Sequence, residues 1–311
     1  MKILVMKFGG SSLANSERIN AIAALVEGKL TSGIRPVVAA SAMGNTTNML
    51  ADLARSISNS PYKRDYDLLL STGEVVSCSL LSIALNDRGI PAQAISGHEA
   101  GIITDNRHGQ ARIQHIDPGR LHSLLVEGIT PIVTGFQGSS ADGATTTLGR
   151  GGSDTTAIAL AVALGTQDCE IYTDVDGVYT ADPNIVPSAR KIEKLSYEEM
   201  LELASLGAKV LQARSVEFAA KYGVSVEVKS SFHQEREGTL VTHEDADMER
   251  AVVSGVTGDP NQAKVTVVGV PDRPGIAAEL FSVIAASSIS VDMIIQNVSQ
   301  GSLADISFTV P

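Results

Sequence analysis

The 311-residue sequence has no tryptophan, only two cysteines, and fewer basic than acidic residues. Cys78 and Cys169 lie in apolar surroundings without a partner at metal-ligand spacing, which argues against a disulfide framework and reads as buried free thiols in a reducing compartment. With 24 Lys+Arg against 35 Asp+Glu the formal net charge is −11, so no nucleic acid and no anionic membrane is expected as a partner. Any anion site must be local. No stretch holds 18 uninterrupted apolar residues, and MKILVMKFGG lacks the long apolar region and cleavage site of a signal peptide, so a cytoplasmic protein is expected. Glycine, by contrast, is plentiful at 28 residues and predicts many tight turns. A chain with 43% hydrophobic and 19% charged residues is ordinary globular material, long enough for about two domains.

The densest glycine-rich stretch is TTTLGRGGSDTTAIALAVALG, residues 145–165. Three threonines lead into Gly149, Arg150, Gly151 and Gly152, and Ser153-Asp154 stands before an alanine-rich run that predicts a buried helix, with either residue as its N-cap. Two readings are open. Free N–H groups, the helix dipole and one arginine suit an anionic ligand; alternatively, the glycines form a tight turn and Arg150 is a solvated surface residue.

Residues 3–8 predict a buried strand with Lys7 at its carboxyl end, followed by Gly9-Gly10-Ser11-Ser12 and a helix capped by Asn15 or Ser16. Ligands of open α/β sheets bind at strand carboxyl ends, so Lys7 and the next amides are candidates for a phosphate. The alternative is a lysine snorkelling beside a turn. KFGGSS is not GxxxxGK[ST], no GxGxxG opens a helix after a strand, and the protein-kinase motifs are missing. Residues 35–41 predict a second strand, then a helix from about 48 to 57; Ser41 and Thr47 are hydrogen-bond donors to a small ligand, or plain caps and turn formers.

Residues 59–67 read as a surface excursion and 68–86 as a mostly apolar helix. Glu74, near the start of that helix, either favours the dipole or meets the ammonium of an amino acid. Residues 91–96 and 130–135 predict strands, 102–116 a hairpin turning at His108-Gly109, and Asp117-Pro118 a helix start with proline at its first position. His98, His108, His115 and His122 have no ligand spacing, so no protein metal site is expected. Residues 168–174 predict a strand delivering Thr173 and Asp174 into the turn-rich VDGVYTADPNIVP; its calcium-loop likeness fails at Ile185, where a bidentate Glu is required. SYEEMLELASLG and AKVLQARSVEFAAKYG predict two helices ended by Gly207 and Gly223, before strands at 224–228 and 239–241.

KFGGSS at 7–12, SAMGNTTN at 41–48, STGE at 71–74, GFQG at 135–138, TTTLGRGGSDTTA at 145–157, TDVDGVYTADP at 173–183 and GAKVL at 207–211 occur together and in order. The whole chain thereby resembles the aspartokinases of the amino acid kinase superfamily. The resemblance implies an α/β three-layer sandwich with a mainly parallel eight-stranded sheet over residues 1–248. It implies phosphoryl transfer from ATP, with Mg2+ on the phosphates, to the β-carboxylate of L-aspartate, the first step towards lysine, threonine and methionine. Lys7 and the Gly9-Gly10-Ser11 turn would meet the phosphates with Lys209 as a second lysine and Asp174 orienting both. Thr173, Tyr179, Asp182 and Pro183 would hold ribose and base. Ser41, Thr47, Glu74, Arg150, Gly151, Gly152, Ser153 and Asp154 would surround aspartate. Asn184 stands where such enzymes commonly have arginine, so the resemblance carries no side-chain role toward ATP over to this position, though the nucleotide itself is still implied. Acetylglutamate kinase, glutamate 5-kinase and UMP kinase share this fold, and a non-catalytic amino-acid-sensing subunit is the rival from another class; intact Lys7, Asp174 and Arg150 speak against the latter.

The polar HEDADMER at 243–250 reads as a linker, leaving 249–311 as a second domain. Its strand at 264–270, PDRPG turn, helix at 276–286 and strands at 290–298 and 303–309 form a βαββ order that resembles a partial ACT module. That resemblance implies an amino-acid effector, lysine or threonine, at Asp272, Gly275, Ile276 and Ala277 with Gln296 and Asn297 facing them; a ligand-free dimerisation domain is the alternative. ACT modules normally run βαββαβ, so a chain ending at Pro311 is expected to bind ATP and aspartate, respond weakly to lysine and threonine, and self-associate as a homo-oligomer through an open sheet edge.

Overall fold

A computed structural model of the chain describes residues 2–208, 210–244, 253–287, 289, 291–297 and 301–311. Lys209, the expected boundary at 248 and the ends of the 290–298 strand lie outside the described residues. Two compact units emerge, Met1–Thr257 and Gly258–Pro311.

The first unit is built on eight strands: β1 Lys2–Phe8, β2 Ile34–Ala40, β3 Ala92–Ile95, β4 Thr130–Thr134, β5 Asp168–Thr173, β6 Lys194–Ser196, β7 Ser225–Ser230 and β8 Thr239–Thr242. They lie in the order β6-β8-β7-β5-β1-β2-β4-β3, and every neighbouring pair is parallel except β7 with β8. The helices are α1 Ser16–Thr31, α2 Thr46–Ile57, α3 Lys63–Asp87, α4 Gly119–Val126, α5 Gly152–Ala163, α6 Tyr197–Ser205 and α7 Ala213–Tyr222. Central β1 is buried on both faces, which is why its sequence reads as an almost unbroken apolar run. Leu4, Met6 and Phe8 join Ile22 of α1 and Leu81 of α3 in one core. Val5 joins Leu124 of α4, Ile158 of α5 and Val216 of α7 in the other. Helices on both sides of a mainly parallel sheet make the three-layer sandwich the sequence implied. A smaller sheet, ordered Ile113–Ile116, Ile102–Thr104, Gln137–Ser139, Thr145–Thr147, contains the expected hairpin and carries the three threonines.

Local chemistry follows the sequence at most helix ends. Asn15 caps α1 by accepting from the Arg18 amide, Ser196 and Glu199 form a capping box on α6, and left-handed Gly223 closes α7. Several boundaries differ. Ser153 and Asp154 do not cap α5: Gly151, at φ +66°, is its N-cap, and both side chains are buried inside the first turn. α2 starts at Thr46, and Pro118 precedes α4 instead of occupying its first position. The helix expected over 208–223 begins only at Ala213, because Gln212 is extended and Leu211 turns into the core. The supposed surface excursion at 59–67 is helical from Lys63, and Asp67 within it is fully buried. By length and composition α3 could cross a bilayer, but half of its apolar window is packed inside the unit, as befits a core helix.

The second unit consists of β9 Ala263–Pro271, α8 Ile276–Ala286, β10 Asp292–Gln296 and β11 Leu303–Val310, with an antiparallel sheet ordered β9-β11-β10. Phe308 of β11 packs edge-on against Phe281 of α8, ring centroids 5.4 Å apart.

Candidate active site

Strand order reverses between β1 and β5, and at such a point parallel sheets receive ligands in the crevice outside the carboxyl ends of the strands. Lys7 lies there. Its ammonium is 2.7 Å from Asp154 Oδ1 of α5, both side chains being about one-tenth exposed, and it stands 3.5 Å from where a Cβ on Gly9 would sit. The Gly9 amide donates to the Tyr172 carbonyl and the Gly44 amide to the Gly10 carbonyl, so the turn after β1 is tied to the ends of β5 and β2. Ser11 opens a short 3-10 turn beside it. The ionic partner of Lys7 is therefore Asp154, whereas Asp174 is exposed and accepts from Thr173 Oγ1 at 3.1 Å.

The segment after β2 is held by α3. Glu74 Oε1 accepts from the Ala42 amide at 3.1 Å, and Ser77 Oγ donates to the Ser41 carbonyl at 2.7 Å. Glu74 is only 2% exposed, and its Oε2 has no hydrogen-bond partner among the described residues. Burial pushes its pKa up to about 8 from 4.5, the Ala42 N–H offsetting part of the effect. A carboxyl so placed binds a proton more tightly folded than unfolded. Its stabilising contribution is complete below pH 4.5 and is lost as pH rises through about 8. The melting temperature of Glu74→Gln minus that of the parent chain should accordingly increase over this interval; a difference that stays constant with pH would refute a proton on Glu74.

Thr47 lies half-buried in the first turn of α2, and Ser153 packs against Gly135 at the end of β4. Gly151 caps α5 and Gly152 opens it, the Gly152 amide donating to the Gly149 carbonyl at 3.0 Å. Arg150 is exposed and forms no ion pair with any described residue. Of the residues expected around aspartate, Glu74 on α3 meets the segment after β2 that holds Ser41, Ser153 in α5 meets the end of β4, Thr47 and Arg150 stand at the starts of α2 and α5, and Asp154 is engaged with Lys7.

Beside the crevice is a cavity of about 340 Å3 lined by Thr173, Asp174, Tyr179, Asp182 and Pro183, all expected from the sequence. Tyr179 is fixed by donating to Asp176 at 2.8 Å, and Asp176 is paired with Arg236 at 3.1 Å. Asn184 also lines the cavity, but its side chain folds back on Asp182 at 3.1 Å. Leu203, Ala208, Val210 and Val256 add an apolar wall that the sequence reading missed, since nothing local separates such residues from ordinary core. Among the described residues, no group of three or more His, Cys, Asp and Glu could hold a metal ion.

In the second unit, Asp272, Gly275, Ile276, Ala277 and Gln296 surround one cavity of about 330 Å3, and Asn297 does not line it. Gly275, at φ +96°, is the N-cap of α8.

The model of the amino acid kinase family matches residues 2–230, and that of the ACT domain matches residues 264–311. An aspartate kinase of Pseudomonas putida is 50% identical over 311 residues, covering 100% of this chain and 75% of that protein. Among solved structures, the aspartate kinase from Synechocystis superposes with a TM-score of 0.71 at 44% identity, over 99% of this chain and 52% of that one. Aspartokinase III of E. coli, in complex with lysine and aspartate, gives a TM-score of 0.81 at 29% identity, over 100% and 79% respectively.

Proposed function

The chain belongs to the amino acid kinase family, and from that premise we propose that it is an aspartate kinase, transferring the γ-phosphoryl group of MgATP to the β-carboxylate of L-aspartate. The products are 4-phospho-L-aspartate and ADP. A carboxylate oxygen forms the new bond to phosphorus, and the bridging oxygen leaves with its electron pair on ADP. That nucleophile is already ionised near neutral pH, so no general base is needed. Alignment of the reactants and positive charge on the transferring group supply the catalysis.

The observation that carries this reading is Lys7, held by Asp154 beside the Gly9-Gly10 turn at the crevice. Lys7 and the Gly9, Gly10 and Ser11 turn take the phosphates, with Lys209 assigned by resemblance as a second cation, and Mg2+ enters on the nucleotide. The cavity bounded by Thr173, Asp174, Tyr179, Asp182 and Pro183 takes ribose and base, its apolar wall of Leu203 and Val256 suiting a purine. On the acceptor side Glu74 releases its proton to solvent to receive the aspartate ammonium, Arg150 grips a carboxylate, and Ser41, Thr47, Ser153 and the Gly151 amide complete the contacts, while the Gly152 amide is used within the turn, donating to the Gly149 carbonyl. Asp154 serves Lys7 and not aspartate directly.

The cavity at Asp272 and Gln296 fits a free amino acid, lysine or threonine, as effector. Met49, Leu53 and Ile57, spaced along one side of α2, are exposed, as are Leu80 and Ile83 on α3, and such apolar exposure suits a homo-oligomer. ADP release measured in parallel with L-aspartate, N-acetylglutamate, L-glutamate and UMP tests the activity. Turnover is expected with L-aspartate alone; preference for another acceptor, or none, overturns it.

A further inference from the structure

Asp67 has no place in the roles assigned above, yet it is the most completely enclosed carboxylate described in the first unit, at 0% exposure on α3. Among the described residues no lysine or arginine pairs with it. Its Oδ2 accepts from His108 Nδ1 at 2.8 Å, the Gly109 amide at 3.0 Å and the Thr147 amide at 3.0 Å, and its Oδ1 accepts from Thr147 Oγ1 at 2.6 Å. A buried carboxylate is costly unless donors surround it. Every donor here comes from one of two segments, the 108–109 hairpin turn and the strand end that runs into Gly149-Arg150.

The rest of that strand end is fixed just as fully. The Ala111 amide donates to the Thr147 carbonyl at 2.9 Å, the Leu148 amide donates to the Phe136 carbonyl at 2.8 Å, and Arg214 donates to the carbonyls of Leu148 at 2.6 Å and Ala111 at 3.0 Å. Each backbone polar group of Thr147 and Leu148 is therefore bound from a distant part of the chain. Two residues later the Arg150 side chain is exposed and forms no ion pair with any described residue. A long cationic side chain with a rigid root loses less freedom on capturing a carboxylate than one on a loose loop.

We infer that Asp67 is a positioning residue for Arg150: by gripping Thr147 and the 108–109 turn it presents the arginine to the carboxylate-bearing acceptor. The inference rests on the assignment of Arg150 to aspartate. Asp67→Asn keeps shape and size but leaves one oxygen where two accepted. It should raise the KM for aspartate about tenfold while kcat and the KM for ATP stay within about twofold.

A double-mutant cycle separates positioning from general damage. In an Arg150→Ala background, Asp67→Asn should alter kcat/KM for aspartate by less than about twofold, because the group it acts through is gone. An equal loss in both backgrounds, a matching rise in the KM for ATP, or no rise in the aspartate KM would each overturn the inference. Thr147→Val, which deletes only the hydroxyl donor to Oδ1, reads out the same selectivity should Asp67→Asn fail to fold. A parent chain inactive with aspartate would refute the underlying reading, whereas an active parent with additive losses refutes this inference alone.

Discussion

Lys7→Ala is expected to lower kcat by a hundredfold or more, on the order of 3 kcal/mol of transition-state stabilisation, with a smaller change in either KM. The sequence alone suggests that such a variant would lose little stability, because a lysine at a strand end is not core. The ion pair with Asp154 changes that expectation. Removing the ammonium strands a carboxylate that is about one-tenth exposed, and breaking a buried pair on one side costs up to about 3–5 kcal/mol. A lowered melting temperature is therefore expected alongside the lost turnover. The two effects separate in Lys7→Ala/Asp154→Asn, where the stranded charge is gone. That double variant should regain most of the melting temperature and none of the turnover. Near-normal kcat in folded Lys7→Ala would sink the phosphate assignment, as would recovery of activity together with stability.

Arg150→Lys should raise the KM for aspartate about tenfold, roughly 1.4 kcal/mol, and leave the KM for ATP within about twofold. Lysine retains the charge but not the planar fork that grips a carboxylate through two parallel hydrogen bonds. Because Arg150 is exposed and the residues before it are pinned, little else should change, and the melting temperature serves as the control. Should the ATP term move and the aspartate term stay, Arg150 must be reassigned to the nucleotide.

Features set by neighbouring residues were legible before the fold was known. Apolar strands breaking into glycine turns at Gly9 and Gly44, the Asn15 cap and the TDVDGVYTADP loop all declare themselves within a few positions, and all fall at one end of the sheet. What stayed hidden was pairing across the chain. Nothing near Lys7 points to Asp154, whose position beside Ser153 suggested a helix cap or an acceptor contact. Asp67 sits in NSPYKRDYD, whose composition is that of a surface loop, and only the folded chain brings Gly109 and Thr147 onto it. The apolar wall of the nucleotide cavity was missed for a related reason: Leu203 and Val256 differ from core residues only in what lies beside them.

Gly73 and Gly28 look alike in the sequence, each a glycine inside a helix. Replacing such a residue with alanine is a common route to a hardier enzyme, worth about 0.4–1 kcal/mol where the new methyl finds room. In α1 it does, for a Cβ on Gly28 meets nothing within 4 Å. In α3 it does not: a Cβ on Gly73 would lie 2.8 Å from that of Ala42, forcing apart the helix that carries Glu74 and Ser77 and the segment they hold. Thermal scans of the two variants should diverge, Gly28→Ala melting higher and Gly73→Ala lower with impaired use of aspartate. One helical glycine is thus spare capacity for thermostabilisation, and the other is a spacer that sets how closely the acceptor side can be assembled.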